Sequence, residues 1–298
     1  MFQIDPVSEA EFALRKRHPE RTTIYQRHAS LGSAYRAVSN GEFDLRYAPG
    51  DRCLLDVFPA KDEDAPVLFF VHGGYWRALD KDLVSFIAKP FQAAGITVVM
   101  PGYDLAPTVA VPEIVDEIRA AFRWTLDRLA PRQVVVSGHS AGAQLAAMIA
   151  MDQAEQGAGP IVGFAGVSGV FDLRNLLTTS INEDLHLTPS SAALASPTLR
   201  ATSVDLKSPL VPMVGLIGGE ETDGFKGWSA DLVDVWAERG GQSSLVEVPG
   251  ATHFSILDQL AAPDSLAHFA IRDLFPDLTL RPAVEIAGAA ATKGTSPC

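Results

Sequence analysis

Gly138-His139-Ser140-Ala141-Gly142 joins a β-branched run, residues 134–137, to a stretch patterned as a helix. A serine hydroxyl on such a turn suits nucleophilic acyl transfer. The strained turn lifts the side chain above the strand end, and the bare glycines let flanking backbone pass close. At about 7% glycine usage this pattern arises by chance about 0.1 times in a chain of this length, so the strand–turn–helix context carries the argument. Acyl transfer also needs donors for the oxygen that becomes negative. His72-Gly73-Gly74-Tyr75-Trp76, directly after the run 67–71, meets that need. The glycines allow the Gly73 and Gly74 N–H groups to turn inward, with Ala141 N–H as a further donor. Tyr75 and Trp76 offer a flat apolar wall for an aromatic substrate, and His72 reads as a structural hydrogen-bonding residue.

A serine needs a base, and the order expected with this turn is serine, then acid, then histidine. Of seven histidines, His18 and His28 precede the first strand, His139 is trapped beside the serine, and His186 lies in an irregular insertion. His268 reads as a solvated residue on a helix surface. His253, in Pro249-Gly250-Ala251-Thr252-His253-Phe254, follows the last strand on a loop of small residues and is the candidate base. The acid should follow the preceding strand, where Glu220, Glu221 and Asp223 all stand, and spacing does not choose among them. A buried acid there would hold the imidazole tautomer and stabilise the imidazolium.

These groups need a frame. Strand candidates are residues 54–58, 67–71, 97–100, 134–137, 161–167, 213–217 and 245–248; several are apolar at consecutive positions, as in strands covered on both faces. Helical patterns lie between them. One opens with Pro112 and carries Ile114, Ile118, Phe122, Thr125 and Leu129 on one stripe; another starts near Ser140 and includes Leu145, Met148 and Ile149. A third covers residues 230–238 and stops at Gly240. This alternation predicts an α/β fold, a mostly parallel central sheet with helices on both faces, in one domain over 1–298. Residues 171–210 break the rhythm and form a candidate lid, and residues 281–298 read as a frayed, disordered tail.

Composition narrows the class. Of 298 residues, 47% are hydrophobic and 20% charged, enough apolar material for a substantial core. Thirty-six acids against 24 Lys plus Arg give a net charge of −12, which argues against nucleic acid or anionic membrane surfaces as partners. Cys53 and Cys298 are too few for a disulfide framework. The opening residues do not resemble a secretory leader, and no apolar run approaches about 18 residues. A soluble cytoplasmic protein is expected. No metal is implied, since there is no H-x-x-x-H or clustered His/Cys set. No nicotinamide or flavin is implied, since Gly163–Gly169 lacks the dinucleotide fingerprint. The expected partner is a small-molecule substrate; a homodimer is the candidate assembly, which the sequence leaves undecided.

Taken together, the motifs HGGYW, Tyr103-Asp104-Leu105-Ala106-Pro107, GHSAG, Ser168-Gly169-Val170-Phe171-Asp172-Leu173, Ile181-Asn182-Glu183-Asp184-Leu185 and Thr252-His253-Phe254 resemble the metal-free kynurenine formamidase (arylformamidase) branch of the α/β-hydrolases, from about residue 20 to 275. The resemblance implies an α/β-hydrolase fold with Ser140 as nucleophile, His253 as base and Glu221 as acid, where the family usually has Asp; Asp223 is the alternative. Three positions depart from the family pattern: Gly102 for Asn, Ala143 for Gly and Trp228 for Gln. The implied activity is hydrolysis of an N-formyl aryl amine such as N-formylkynurenine, without a cofactor. A carboxylesterase for short acyl or aryl esters would use the same groups, and a non-catalytic ligand-binding homologue would typically lack one of them.

Overall fold

The computed structural model describes residues 3–278; the predicted tail at 281–298, Cys298 included, lies outside the described residues. Eight strands, β1 (Glu42–Arg46), β2 (Leu54–Phe58), β3 (Val67–Val71), β4 (Thr97–Pro101), β5 (Val134–His139), β6 (Ile161–Val167), β7 (Met213–Gly218) and β8 (Ser243–Val248), form one sheet in the order β1-β2-β4-β3-β5-β6-β7-β8. From β4 to β8 neighbours run parallel, while β2 pairs antiparallel with β1 and β4. This is the α/β-hydrolase fold expected from the motifs.

Eleven α-helices lie among the described residues: α1 (Pro6–Phe12), α2 (Arg21–Val38), α3 (Ala88–Ala93), α4 (Val111–Leu129), α5 (Ala141–Gln156), α6 (Asn182–Leu185), α7 (Pro189–Leu194), α8 (Pro197–Ser203), α9 (Asp223–Glu238), α10 (Ile256–Leu260) and α11 (Leu266–Arg272). Alternation along β3 splits the core. Val67, Phe69 and Val71 pack on the side of α4, α5 and α9, whereas Leu68 and Phe70 join Phe91, Ile256, Leu260 and Ile271 on the other. Both faces are covered, which is why these strands carry consecutive apolar residues.

Local chemistry explains the main helices. In α4 the Glu113 carboxylate accepts the Ala110 N–H at 2.6 Å, Pro112 occupies the first turn, and Ala130 closes the helix with φ 42°. Its buried stripe is Val111, Ile114, Val115, Ile118, Phe122 and Thr125. Helix α5 is buried on nearly every side, as its run of alanines permits. The insertion at 171–210 contains α6, α7 and α8, with Leu173, Leu176, Leu185 and Ala201 buried in the main core. No helix among the described residues is long and apolar enough to cross a membrane.

Three expectations differ from the structure. Strand β1 was not anticipated: its charged residues and the register shift between Glu42 and Leu45 disguise an edge strand. Helix α9 begins two turns earlier than predicted, because the Thr222 hydroxyl accepts the Phe225 N–H at 3.4 Å and starts a helix through Gly224 and Gly227. His268 is buried rather than solvated, its ring 4.3 Å from that of Phe91.

Candidate active site

The parallel register sets the C-terminal ends of five strands side by side. Val71 is level with Gly138, Gly138 with Gly166, Val167 with Leu216, and Gly218 with Val248. The loops that follow carry His72 to Trp76, Ser140, Ser168, Glu221 and His253. Residues more than 100 positions apart therefore meet at one rim.

Ser140 sits between β5 and α5 with φ 56° and ψ −119°, a strained backbone for a residue with a side chain. The turn fits only around glycine. A Cβ on Gly142 would lie 2.1 Å from the Val71 carbonyl oxygen, and one on Gly138 would lie 2.3 Å from Gly142 backbone. The hydroxyl is 3.1 Å from His253 Nε2, and His253 Nδ1 is 2.8 Å from Glu221 Oε2. With a carboxylate at Nδ1, that nitrogen carries the proton and Nε2 is left to accept from the serine. All three side chains are buried: Ser140 is 2% exposed, His253 3% and Glu221 7%.

The choice of acid is geometric. Glu220 and Asp223 are exposed, Asp223 at the first position of α9. Glu221 alone of the three turns inward, and its other oxygen accepts the Ser168 hydroxyl at 2.5 Å and the Gly218 N–H at 2.9 Å. Three donors on one carboxylate offset its desolvation and fix its orientation. The sequence assigns Ser168 no role; its signals are its place directly after β6 at the shared rim and at the head of the motif Ser168–Leu173.

His139 also faces the site. Its Nε2 donates to the His253 carbonyl at 2.8 Å, and the two rings lie 4.7 Å apart. Burial, and then the neighbouring His253, hold its pKa well below the ordinary histidine value, so it stays neutral and does not compete as a base. His72 has the structural role expected of it: Nδ1 bonds the Gly73 carbonyl at 2.7 Å and the ring stacks 4.3 Å from Tyr103. A Cβ on Gly73 would lie 3.0 Å from Ser140 Cβ, so that loop runs directly against the serine. Gly74 adopts φ +121°, which favours glycine. Ala141 opens α5, where first-turn N–H groups have no intrahelical acceptor.

A cleft of about 80 Å³ opens over Ser140, lined by Leu14, Tyr25, Gly74, Tyr75, His139 and Phe254 among others. Tyr75 lines it as expected, and its hydroxyl also donates to the Phe12 carbonyl at 2.5 Å, tying the N-terminal segment over the site. Trp76 does not line it. The indole is fully buried, with Nε1–H donating to Gln144 Oε1 at 3.0 Å, because the backbone turns at Tyr75 (φ 51°) and Trp76 (φ 55°) and sends the ring into the core. The contribution of Leu14, Arg15, Arg21 and Tyr25 to the lining is not legible in the sequence, since nothing before β1 carries a motif.

A larger cavity of about 590 Å³, lined by Pro112, Val115, Met148 and Leu199, includes none of the three site residues. Two side-chain groups bring possible metal ligands together: Cys53 with Asp104 and Glu117, and Asp44 with Asp56 and Asp82. The second is bound by Arg36 and Lys81, and neither group contributes to the cleft over Ser140.

Residues 68–257 match a family model described as the alpha/beta hydrolase fold. The chain is 31% identical to a kynurenine formamidase of Salmo salar over 235 residues, 77% of this chain and 80% of that one. It is 30% identical to the Danio rerio kynurenine formamidase over 230 residues, 76% and 78% of the two chains. Among solved structures, one from Silicibacter sp. described as a thioesterase superposes with a TM-score of 0.76 at 28% identity, covering 84% of this chain and 93% of that one. An esterase of Pyrobaculum calidifontis superposes with a TM-score of 0.68 at 18% identity, covering 91% and 96%, a likeness of fold.

Proposed function

The chain belongs to the α/β-hydrolase family, in its kynurenine formamidase-like branch, and from that premise we propose that it is a serine hydrolase cleaving the N-formyl amide of an aryl amine, N-formylkynurenine foremost. The observation that carries this reading is the continuous array Ser140–His253–Glu221, with contacts of 3.1 and 2.8 Å, beneath a cleft of about 80 Å³. That volume is a few waters' worth and far below the roughly 300 Å³ of an ordinary ligand pocket. It suits a formyl group over the serine, with the aryl part toward the mouth.

In this mechanism His253 Nε2 takes the Ser140 proton as Oγ attacks the formyl carbon. The N–H groups of Gly73, Gly74 and Ala141 hold the resulting oxyanion, each donor contributing about 3–4 kcal/mol in comparable enzymes. The imidazolium, steadied by Glu221, protonates the aryl nitrogen, the C–N bond breaks and the amine leaves. His253 then deprotonates a water that attacks the formyl ester, releasing formate and restoring the serine.

A short-chain esterase is the second reading, favoured by a 31% identity over 110 residues, 35% of this chain, with a Mycobacterium tuberculosis carboxylesterase. The deciding experiment compares kcat/KM for N-formylkynurenine and 4-nitrophenyl acetate, following release of the aryl amine and of nitrophenol by absorbance. The proposal expects the formamide to be the better substrate. Hydrolysis of the ester alone overturns it in favour of the esterase.

A further inference from the structure

Two arginines line the cleft over Ser140, and among the described residues neither guanidinium is in hydrogen-bond or ion-pair contact with a carboxylate. Arg15 and Arg21 line the same space as Ser140 and His253. Among the described residues, the Arg15 guanidinium has no hydrogen bond or ion pair, and that of Arg21 donates only to the main-chain carbonyls of Arg15 and His18. The nearby acids are engaged elsewhere. Asp184 pairs with Arg77 at 2.6 Å, Glu20 with His18 at 2.7 Å, Glu9 with Ser180, and Glu11 with the Gly224 N–H. Burial, then repulsion from Arg77 and Arg21, lowers the Arg15 pKa from its usual value. Tyr25 lines the cleft beside them and makes no hydrogen bond among the described residues; burial pushes its phenol up to about 12, leaving a neutral O–H donor at working pH.

A chain with a net charge of −12 thus places two guanidinium groups, neither in contact with a carboxylate among the described residues, on the lining of the cleft over its reactive serine. Guanidinium forks match a carboxylate in shape and charge, and a positive mouth on a negative body draws anions inward. We propose that Arg15 and Arg21, with the Tyr25 hydroxyl, form a clamp for a carboxylate carried on the leaving group of the substrate, and so set the enzyme's preference for anionic substrates. The cleft over the serine accepts only a small acyl group, so the remainder of the substrate must extend past these residues. The inference rests on the hydrolase reading, and its test is built so that the two can fail separately.

The test measures kcat/KM for two matched pairs: N-formylkynurenine against its decarboxylated counterpart N-formylkynuramine, and 4-acetoxybenzoate against its methyl ester. The parent chain should favour the carboxylate-bearing member by at least about tenfold, chiefly through KM, with the preference shrinking as salt rises. In Arg15→Gln, and further in Arg15→Gln/Arg21→Gln, the ratio within each pair should fall toward that of the uncatalysed reactions. Arg15→Gln removes no hydrogen bond, so its result does not turn on the fold. An ester pair that shows the preference while the formamides go unhydrolysed retains the clamp and overturns the formamidase reading. Hydrolysis without charge preference, or a ratio unmoved by either variant, overturns the clamp and leaves the hydrolase.

Discussion

Ser140 and His253 stand in direct contact, so removing either should stop acyl transfer without disturbing the core. Ser140→Ala and His253→Ala are each expected to lower kcat by at least about 10⁴-fold with near-parental thermal stability. Wild-type activity in Ser140→Ala would rule out the proposed nucleophile. Glu221→Gln should cost about 10⁴-fold through loss of the correct tautomer, while Asp223→Asn, on an exposed side chain, should leave turnover near the parental value. Equal, small losses from the two would refute the assignment of the acid. Glu221 also shows how much of this site the sequence left open. Three acids stand within four residues, and only burial and the contacts of His253, Ser168 and Gly218 with one of them distinguish it.

At the scale of elements, the β5–α5 turn leaves no room for added side-chain atoms at its glycines. The Gly142→Ala methyl would have to occupy space 2.1 Å from the Val71 carbonyl oxygen and 2.4 Å from that of His72, both main-chain atoms that cannot swing aside. We expect Gly142→Ala to lose more than about 4 kcal/mol of stability and the activity with it, measured by urea unfolding and ester hydrolysis. Such a turn was legible because its glycines and apolar flanks are contiguous. Strand β1 and the first two turns of α9 were not, since an edge bulge and a glycine-rich helix start are decided by partners elsewhere in the chain. Trp76 fails for the same reason: its place beside the HGG motif says nothing of which way the backbone turns it.

For the whole molecule, three buried imidazoles couple stability to pH. Burial lowers His72 to about 4, and also lowers His139 and His268, from an ordinary value of 6.5. A histidine depressed by folding binds fewer protons folded than unfolded between its folded value and its ordinary one. Its contribution is present above pH 6.5 and is lost as pH falls through the folded value, for His72 about 4. Glu117, raised by burial, works in the opposite sense, but it is one group against three. The Tm at pH 5 should therefore lie at least about 5 °C below that at pH 7. A flat profile would mean that these rings are not held neutral by burial.

Composition, the period of the apolar runs and a few contiguous motifs were enough to determine the α/β class, seven of the eight strands, and the serine and histidine of the site, because each is written in neighbouring residues. Which acid faces the imidazole, what Ser168 and His139 hold, where Trp76 points and which cations stand at the mouth were decided only by folding. Each depends on segments brought together from distant parts of the chain by a parallel register that levels five strand ends, and no local pattern encodes that distance.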